Sequence, residues 1–370
     1  MKVLLLSCST GEGHNHCAQA VREALDKRGH QTEFLDMLRL FGEPGPLNIE
    51  SALNAISSRA PELFGVMYRA GAMYSATNVT SPVYLANIRH AKQLRDLIEA
   101  RGYDAVVCSH LFPMETLTYI RKHYTLRAKC YGVLSDYTCI PFLTETALDL
   151  YMVPHREVLE ECVKNGIDRE KLAATGMPVS AQFCGEIEKR AAREALSLPP
   201  DQRIYLIMTG GIGCGDAVTL CKTILKLPSD DALLLVLVGR NEELKTAAQT
   251  AFQGQENVRA VPFTDKVALY MRAADALLSK AGGISSSEAA ALRVPLVHTM
   301  AIPGVETLNA QFFARHGMSF FASSPDEAAR CADRLIFDPK TADQMLKAQR
   351  ENVPTDGADR IAALVEAGGA

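Results

Sequence analysis

The chain opens on a short apolar run, residues 3–7, that stops at the loop Ser9-Thr10-Gly11-Glu12-Gly13-His14. An uninterrupted apolar run closed by a glycine loop predicts a strand buried on both faces of a parallel sheet. From about Asn15 to Arg28 the apolar positions Cys17, Ala20, Val21 and Ala24 fall on one face of a helix, which Gly29 ends. A second strand is expected over 31–36. Strand, loop, helix and strand make the βαβ unit of a doubly wound sheet. Strand patterns return at 105–108, 129–134 and 149–153. Between 47 and 100 the alternation breaks into three successive helical patterns, about 47–58, 61–76 and 82–100.

Near 180–200 the chain turns polar and alanine-rich and reaches Leu198-Pro199-Pro200-Asp201, which marks a linker. A second alternating series follows, with strands at 204–208, 233–238, 258–261, 276–278 and 296–298. One helix is expected over 340–366, with no strand after it. The pattern therefore predicts an α/β chain of two tandem doubly wound domains. The first spans 1–180 and carries a helical insertion at 47–100, and the second spans 200–340. A C-terminal helical segment, 341–370, is expected to pack back on the first domain. Such a pair forms a cleft at the carboxyl ends of its strands, where ligands bind.

Composition narrows this picture. The 370 residues include 48% hydrophobic and 22% charged ones, enough apolar material for two cores. A net charge of -4 and a pI near 6.2 disfavour a general nucleic-acid binder. The ten cysteines form no Cys-x-x-Cys pair, so they read as reduced, mostly buried thiols of a cytoplasmic protein. The N-terminal apolar run is too short for a signal-peptide core. No stretch reaches the roughly 18–20 apolar residues of a membrane span, so membrane contact is expected to be peripheral.

Four segments could carry chemistry. In the first loop Gly11 and Gly13 let backbone approach a ligand, and His14 stands at a helix start, where a neutral imidazole can take a proton from a hydroxyl. A structural or capping histidine fits the pattern equally well. The loop 209–216, with Gly210, Gly211 and Gly213, suits a phosphate or a plain tight turn. Lys280, Gly282, Gly283, Ser285 and Glu288 follow a strand and open a helix, which suits a diphosphate, with Glu288 available to ribose hydroxyls. Ser285-x-x-Glu288 is equally a capping box. Glu306 and Asn309, three apart on one helix face, suit sugar hydroxyls or merely a solvated surface. The insertion adds Leu63, Phe64, Val66, Met67, Tyr68, Met73, Tyr74, Val83, Tyr84 and Leu85, near Arg59, Arg69, Arg89, His90, Lys92 and Arg95. Apolar and cationic surface together suit an anionic lipid interface. Packing into the core is the alternative.

Taken in order, these segments resemble the family of monogalactosyldiacylglycerol synthases and processive diacylglycerol glucosyltransferases. The likeness to the N-acetylglucosaminyltransferase that forms lipid II is more distant. The segments are Ser9–His14, Ser109-His110, Ser135-Asp136 with Thr138 and Pro141, Thr175–Val179, the glycines at 210–215, Ser279–Glu288 and Pro303–Asn309. The resemblance implies a GT-B fold, with two facing Rossmann-like domains and a cleft between them. It implies inverting transfer of a hexose from a UDP-sugar to a lipid such as diacylglycerol, giving a β-glycolipid, with no required metal or other cofactor. It places His14 at the reaction centre with Asp136 in support. Gly11, Gly13, His110 and Pro141 fall on the acceptor side; Gly210, Gly211, Gly213, Lys280, Gly282, Gly283, Ser285, Glu288, Glu306 and Asn309 fall on the donor side. Expected partners are the UDP-sugar, the lipid acceptor and an anionic membrane touched peripherally at its inner, cytoplasmic face, with no nucleic acid. Two positions depart from the family: Ser9 stands where plant members carry an aspartate, and Val305 replaces the glutamine of Pro-Gly-Gln-Glu. A transferase with a soluble acceptor and a non-catalytic nucleotide-sugar sensor are the competing functions.

Overall fold

The computed structural model describes residues 1–9, 12–40, 61–75, 77, 79–185, 187–209, 217–227, 231–299 and 301–368. The helix expected at 47–58 lies outside these residues. The chain divides into two compact units, Met1–Ala181 with Pro303–Val305 and Pro354–Ala370, and Gln182–Ile302 with Glu306–Val353.

In the first unit β1 (Lys2–Ser7), β2 (Gln31–Asp36), β3 (Ala105–Cys108), β4 (Lys129–Val133), β5 (Leu150–Val153) and β6 (Leu172–Ala174) form one parallel sheet in the order β2-β1-β3-β4-β5-β6. Val3–Leu6, Ala105–Cys108 and Leu150–Val153 are buried throughout, as strands covered on both faces must be. The helix Glu12–Lys27 buries Cys17, Ala18, Ala20, Val21, Ala24 and Leu25, the stripe its periodicity predicts. It begins at Glu12, so His14 lies in its first turn.

The order of strands reverses once: β1 leads outward to β2, and the chain then returns to lay β3 on the other side of β1. Leu6 is in register with Cys108, and the Ser109 N–H donates to the Leu6 carbonyl, 3.1 Å away. The loops leaving β1 and β3 therefore part company side by side. That is where doubly wound sheets hold ligands.

The second unit repeats the plan with β7 (Ile204–Met208), β8 (Leu233–Gly239), β9 (Val258–Pro262), β10 (Ala276–Ser279), β11 (Leu296–His298) and β12 (Phe320–Phe321), all parallel, in the order β12-β11-β10-β7-β8-β9. Its reversal lies between β7 and β10, where Ser279 is in register with Met208. The segment 180–200, read as a linker, holds a helix, Lys189–Ala195, fixed to this unit. Arg193 is buried and donates to Asp275 (2.7 Å) and to the carbonyls of Ala273 and Pro200, while Asp275 also accepts the Ile204 N–H.

Two helical expectations need correction. The stretch 82–100 is not one helix but Pro82–Asn87, a short 3-10 turn Ile88–His90, and Ala91–Arg101. Asn87 is held from outside: its side chain donates to Glu115, and its carbonyl accepts the Thr116 hydroxyl at 2.9 Å. The stretch 340–366 is two helices, Pro339–Asn352 and Gly357–Glu366. Pro354 lacks an N–H and disfavours helical geometry at Val353, which is extended. The second of these helices lies in the first unit, where Glu366 pairs with Arg28 at 2.8 Å. The Thr175–Val179 segment seats it. A Cβ on Gly176 would sit 2.5 Å from Pro354, and one on Gly357 would sit 2.5 Å from the Met177 carbonyl, so both approaches require glycine.

The insertion helix Pro61–Ser75 leaves Leu63, Val66, Met67, Met73 and Tyr74 exposed, with Arg69, and Leu85 is exposed on the next helix. Phe64 and Tyr68 are half-buried and Tyr84 is buried. Core packing accounts for the second group only. Arg89 and Lys92 are also exposed, Arg95 is half-buried, and Arg59 lies outside the described residues. Among the described residues no helix is long and apolar enough to cross a membrane.

Candidate functional site

At the reversal of the first sheet, three loops meet around His14. Its Nδ1 lies 2.9 Å from the Ser109 carbonyl, beyond the end of β3, and 3.0 Å from Ser135 Oγ, beyond the end of β4. A carbonyl only accepts, so Nδ1 carries the proton and Nε2 holds the ring's lone pair. Burial lowers the His14 pKa, against the opposing charge of Asp136 and the Ser109 hydrogen bond. The imidazole is therefore neutral at pH 7, with a basic Nε2. Ser135 Oγ also lies 3.4 Å from Asp136, which links the carboxylate to the histidine through a hydroxyl.

His110 stacks edge-on against His14, with 4.6 Å between ring centres. It caps the helix Leu111–His123, its Nδ1 accepting the Phe112 N–H at 3.1 Å. Burial and the neighbouring His14 hold its pKa well down. Its tautomer is thus the opposite one, with the proton on Nε2. His14, His110, Ser135, Asp136, Met114 and Ile140 line a small pocket together with Ser109. Pro141 is half-buried in the following turn, and Gly13 is exposed in the first turn of its helix. Gly11 lies outside the described residues.

Three groups have contacts here that the sequence reading did not assign to them. Ser9, at the position of the family's aspartate, hydrogen-bonds Asp36 at the end of β2, so a carboxylate reaches this loop from the neighbouring strand. Tyr68, from the insertion helix, lies near enough to Asp136 and Glu161 for their charges to add to burial in raising its pKa. Ser109 supplies the carbonyl that fixes the His14 tautomer. The residues can be found locally, but these contacts cannot, because each joins elements far apart in sequence.

In the second unit Gly282 is the N-cap of the helix Gly283–Ala291. Ser285 is therefore inside the helix, and its hydroxyl donates to the Gly282 carbonyl at 3.3 Å. The capping-box alternative fails on that geometry, because its serine must be the N-cap. Ser286 and Ser287 are committed to His298 (2.9 Å) and the Gly283 carbonyl (2.7 Å). Glu288 is buried at 5% exposure. Lys280 pairs with Glu306 at 2.6 Å, whose other oxygen accepts the Ile302 N–H at 3.1 Å. Asn309 is fully buried and donates to the Ala281 carbonyl at 3.1 Å. Glu306 and Asn309 thus do not form a solvated face. They brace the loop after β10. Gly210, Gly211 and Gly213 lie outside the described residues. Phe263, just past β9, is 56% exposed with the Arg240 guanidinium 3.9 Å from its ring centre. An exposed aromatic ring at a sheet's carboxyl edge suits a nucleobase, and the sequence reading missed it.

Two doubly wound parallel sheets, each with one reversal of strand order, make a GT-B fold, and the sequence matches that follow make this chain a glycosyltransferase. Residues 14–179 match the family model of monogalactosyldiacylglycerol (MGDG) synthase, and residues 212–352 match that of glycosyl transferases group 1. The resemblance drawn from the motifs therefore holds in both portions of the chain. The chain is 26% identical over 354 residues to the processive diacylglycerol beta-glucosyltransferase of Bacillus mycoides (strain KBAB4), covering 94% of this chain and 89% of that protein. Among solved structures, MurG of Acinetobacter baumannii superposes with a TM-score of 0.64 at 16% identity over 99% of each chain. The UDP-GlcNAc 2-epimerase of Neisseria meningitidis does so with a TM-score of 0.63 at 13% identity, over 99% of this chain and 100% of that one. These last two likenesses are of fold alone.

Proposed function

We propose that the protein transfers a hexose from a UDP-sugar to a hydroxyl of a membrane lipid of the diacylglycerol class, with inversion, giving a β-glycolipid. The observation that carries this is the neutral His14, its Nδ1 proton held by the Ser109 carbonyl and its Nε2 left basic. In an inverting displacement the acceptor hydroxyl attacks the anomeric carbon from the side opposite the diphosphate and must lose its proton. His14 Nε2 receives it. The imidazolium that forms is stabilised by Asp136 and by its two Nδ1 partners.

The donor side of the proposal places the diphosphate at the reversal between β7 and β10, on the N–H groups opening the helix Gly283–Ala291. Lys280 adds positive charge there on release from Glu306. Leaving-group stabilisation then needs no metal. The exposed apolar face of Pro61–Ser75, with Arg69, Arg89 and Lys92, supports peripheral docking on an anionic inner leaflet from the cytoplasmic side.

The test incubates the protein with UDP-glucose, UDP-galactose or UDP-N-acetylglucosamine and vesicles of dioleoylglycerol in phosphatidylglycerol. Product mass identifies the glycolipid, and NMR gives its anomeric configuration. A β-linked product, lost by about 10² or more in His14→Ala with folding intact, is expected. An α-linked product, or normal turnover in the variant, would overturn the mechanism. Transfer only to water-soluble alcohols would overturn the acceptor.

A further inference from the structure

The hydroxyls around His14 are engaged almost without exception. Ser7 Oγ donates to Asn15 at 2.8 Å, Ser9 bonds Asp36, and Ser135 lies against His14 and Asp136. Ser109 is different. It is only 3% exposed, its N–H and carbonyl are committed to Leu6 and His14, and its Oγ has no hydrogen-bond partner among the described residues. It lines the same pocket as His14, His110, Ser135 and Asp136. A buried hydroxyl left unpaired disfavours the folded state, and alanine would serve folding better at this position.

We propose that Ser109 Oγ is an acceptor-binding group, hydrogen-bonding an oxygen of the acceptor headgroup beside the hydroxyl that His14 deprotonates. The ligand class is a polyol or glycerol ester, in which a second oxygen lies one carbon from the reacting alcohol. A Ser hydroxyl can donate to an ester, ether or hydroxyl oxygen alike. This assignment rests on the proposed acceptor chemistry. It adds a specificity contact that His14 cannot supply, since the histidine meets only the reacting hydroxyl.

Ser109→Ala separates this role from a structural one. Without ligand the variant should unfold at a temperature equal to or above that of the wild type. With 1,2-dioctanoylglycerol as acceptor and the UDP-hexose that the wild type uses, KM for the acceptor should rise about tenfold, the loss of one hydrogen bond. kcat and the donor KM should stay within about twofold, because the group that fixes His14 is the Ser109 carbonyl, which alanine retains. Ser109→Thr, which keeps the hydroxyl, should recover most of the acceptor affinity. A thermal shift with dioctanoylglycerol, large in the wild type and small in Ser109→Ala, reports binding without turnover. An unchanged acceptor KM and thermal shift in Ser109→Ala would overturn the assignment while leaving the acceptor proposal intact. So would lower stability with reduced kcat. A wild type that neither transfers to dioctanoylglycerol nor is shifted by it would remove the acceptor proposal, and Ser109's role with it.

Discussion

Glu115 offers a sharp physical test of the first unit, because a fully buried carboxyl has been placed there at a cost that depends on pH. It sits in the helix Leu111–His123, one oxygen accepting from Asn87 and the other without a partner among the described residues. Burial pushes its pKa up from 4.5 to about 8, against the Asn87 hydrogen bond and with help from the charge of Glu145. The folded chain therefore keeps the proton across a range where the unfolded chain releases it. Stability due to this group is present below pH 4.5 and is lost as pH rises toward 8. At pH 7 the loss is about 3 kcal/mol, at 1.36 kcal/mol per unit. Glu115→Gln replaces the protonated carboxyl with a neutral isostere that can still accept from Asn87. The variant should match the wild type near pH 4.5 and gain on it steadily up to pH 8. At about 2–4 °C per kcal/mol for a unit of this size, the gap at pH 7 is about 6–12 °C. Circular dichroism suits the measurement, since the chain has no tryptophan. A stability difference that stays flat between pH 5 and 8 would refute the reasoning.

Other consequences follow from the same contacts. Because burial holds His14 below the ordinary 6.5, activity needing its neutral form should be level through pH 7 and fall only on the acid side of 6.5. A pH–rate profile with its acid limb above 6.5 would exclude His14 as that base. Arg193→Ala should destabilise the second unit by about 1–3 kcal/mol, because the Ala273 and Pro200 carbonyls lose their buried donor while Asp275 keeps Lys189 and the Ile204 N–H; chemical denaturation reads this directly. Replacing Leu63 and Met67 together by glutamate should abolish flotation with phosphatidylglycerol vesicles without lowering the unfolding temperature, since both side chains are exposed. Retained flotation would remove this helix from the membrane contact.

Most of the strands were legible as apolar runs stopped by a polar or glycine residue, β1, β3, β7 and β8 most plainly. β6 and β12 were not, being three and two residues long and only partly buried, whereas the equally short β11 is buried throughout and reads as an apolar run. His14, Asp136 and His110 could be picked out as candidates, but their relation could not. The bond that fixes the tautomer spans 95 residues, and the one to Ser135 spans 121. Burial decided between alternatives as well. Glu306 and Asn309 look alike in spacing to any solvated helix face, and only packing shows that they hold the loop after β10. The Thr175–Val179 motif gave no hint that its glycine is there for contact with the returning C-terminal segment.

The two sheets also show why no single motif could carry the chemistry. In each, the strand order turns back once, and only there do neighbouring loops diverge enough to leave room for a ligand. In the first unit this places the helix start after β1, the carbonyl after β3 and the hydroxyl after β4 within one histidine's reach. Each loop alone is unremarkable: a glycine turn, a helix cap, a Ser-Asp pair. Their chemistry comes from register, since Leu6 opposite Cys108 and Cys108 opposite Gly132 set how far each loop projects. A one-residue slip between β1 and β3 would carry the Ser109 carbonyl about 3.3 Å along the strand. That exceeds the tolerance of a hydrogen bond, so His14 would lose its fixed tautomer while every local motif stayed intact. The proposed base is thus specified by the pairing of the strands as much as by the residue that bears it.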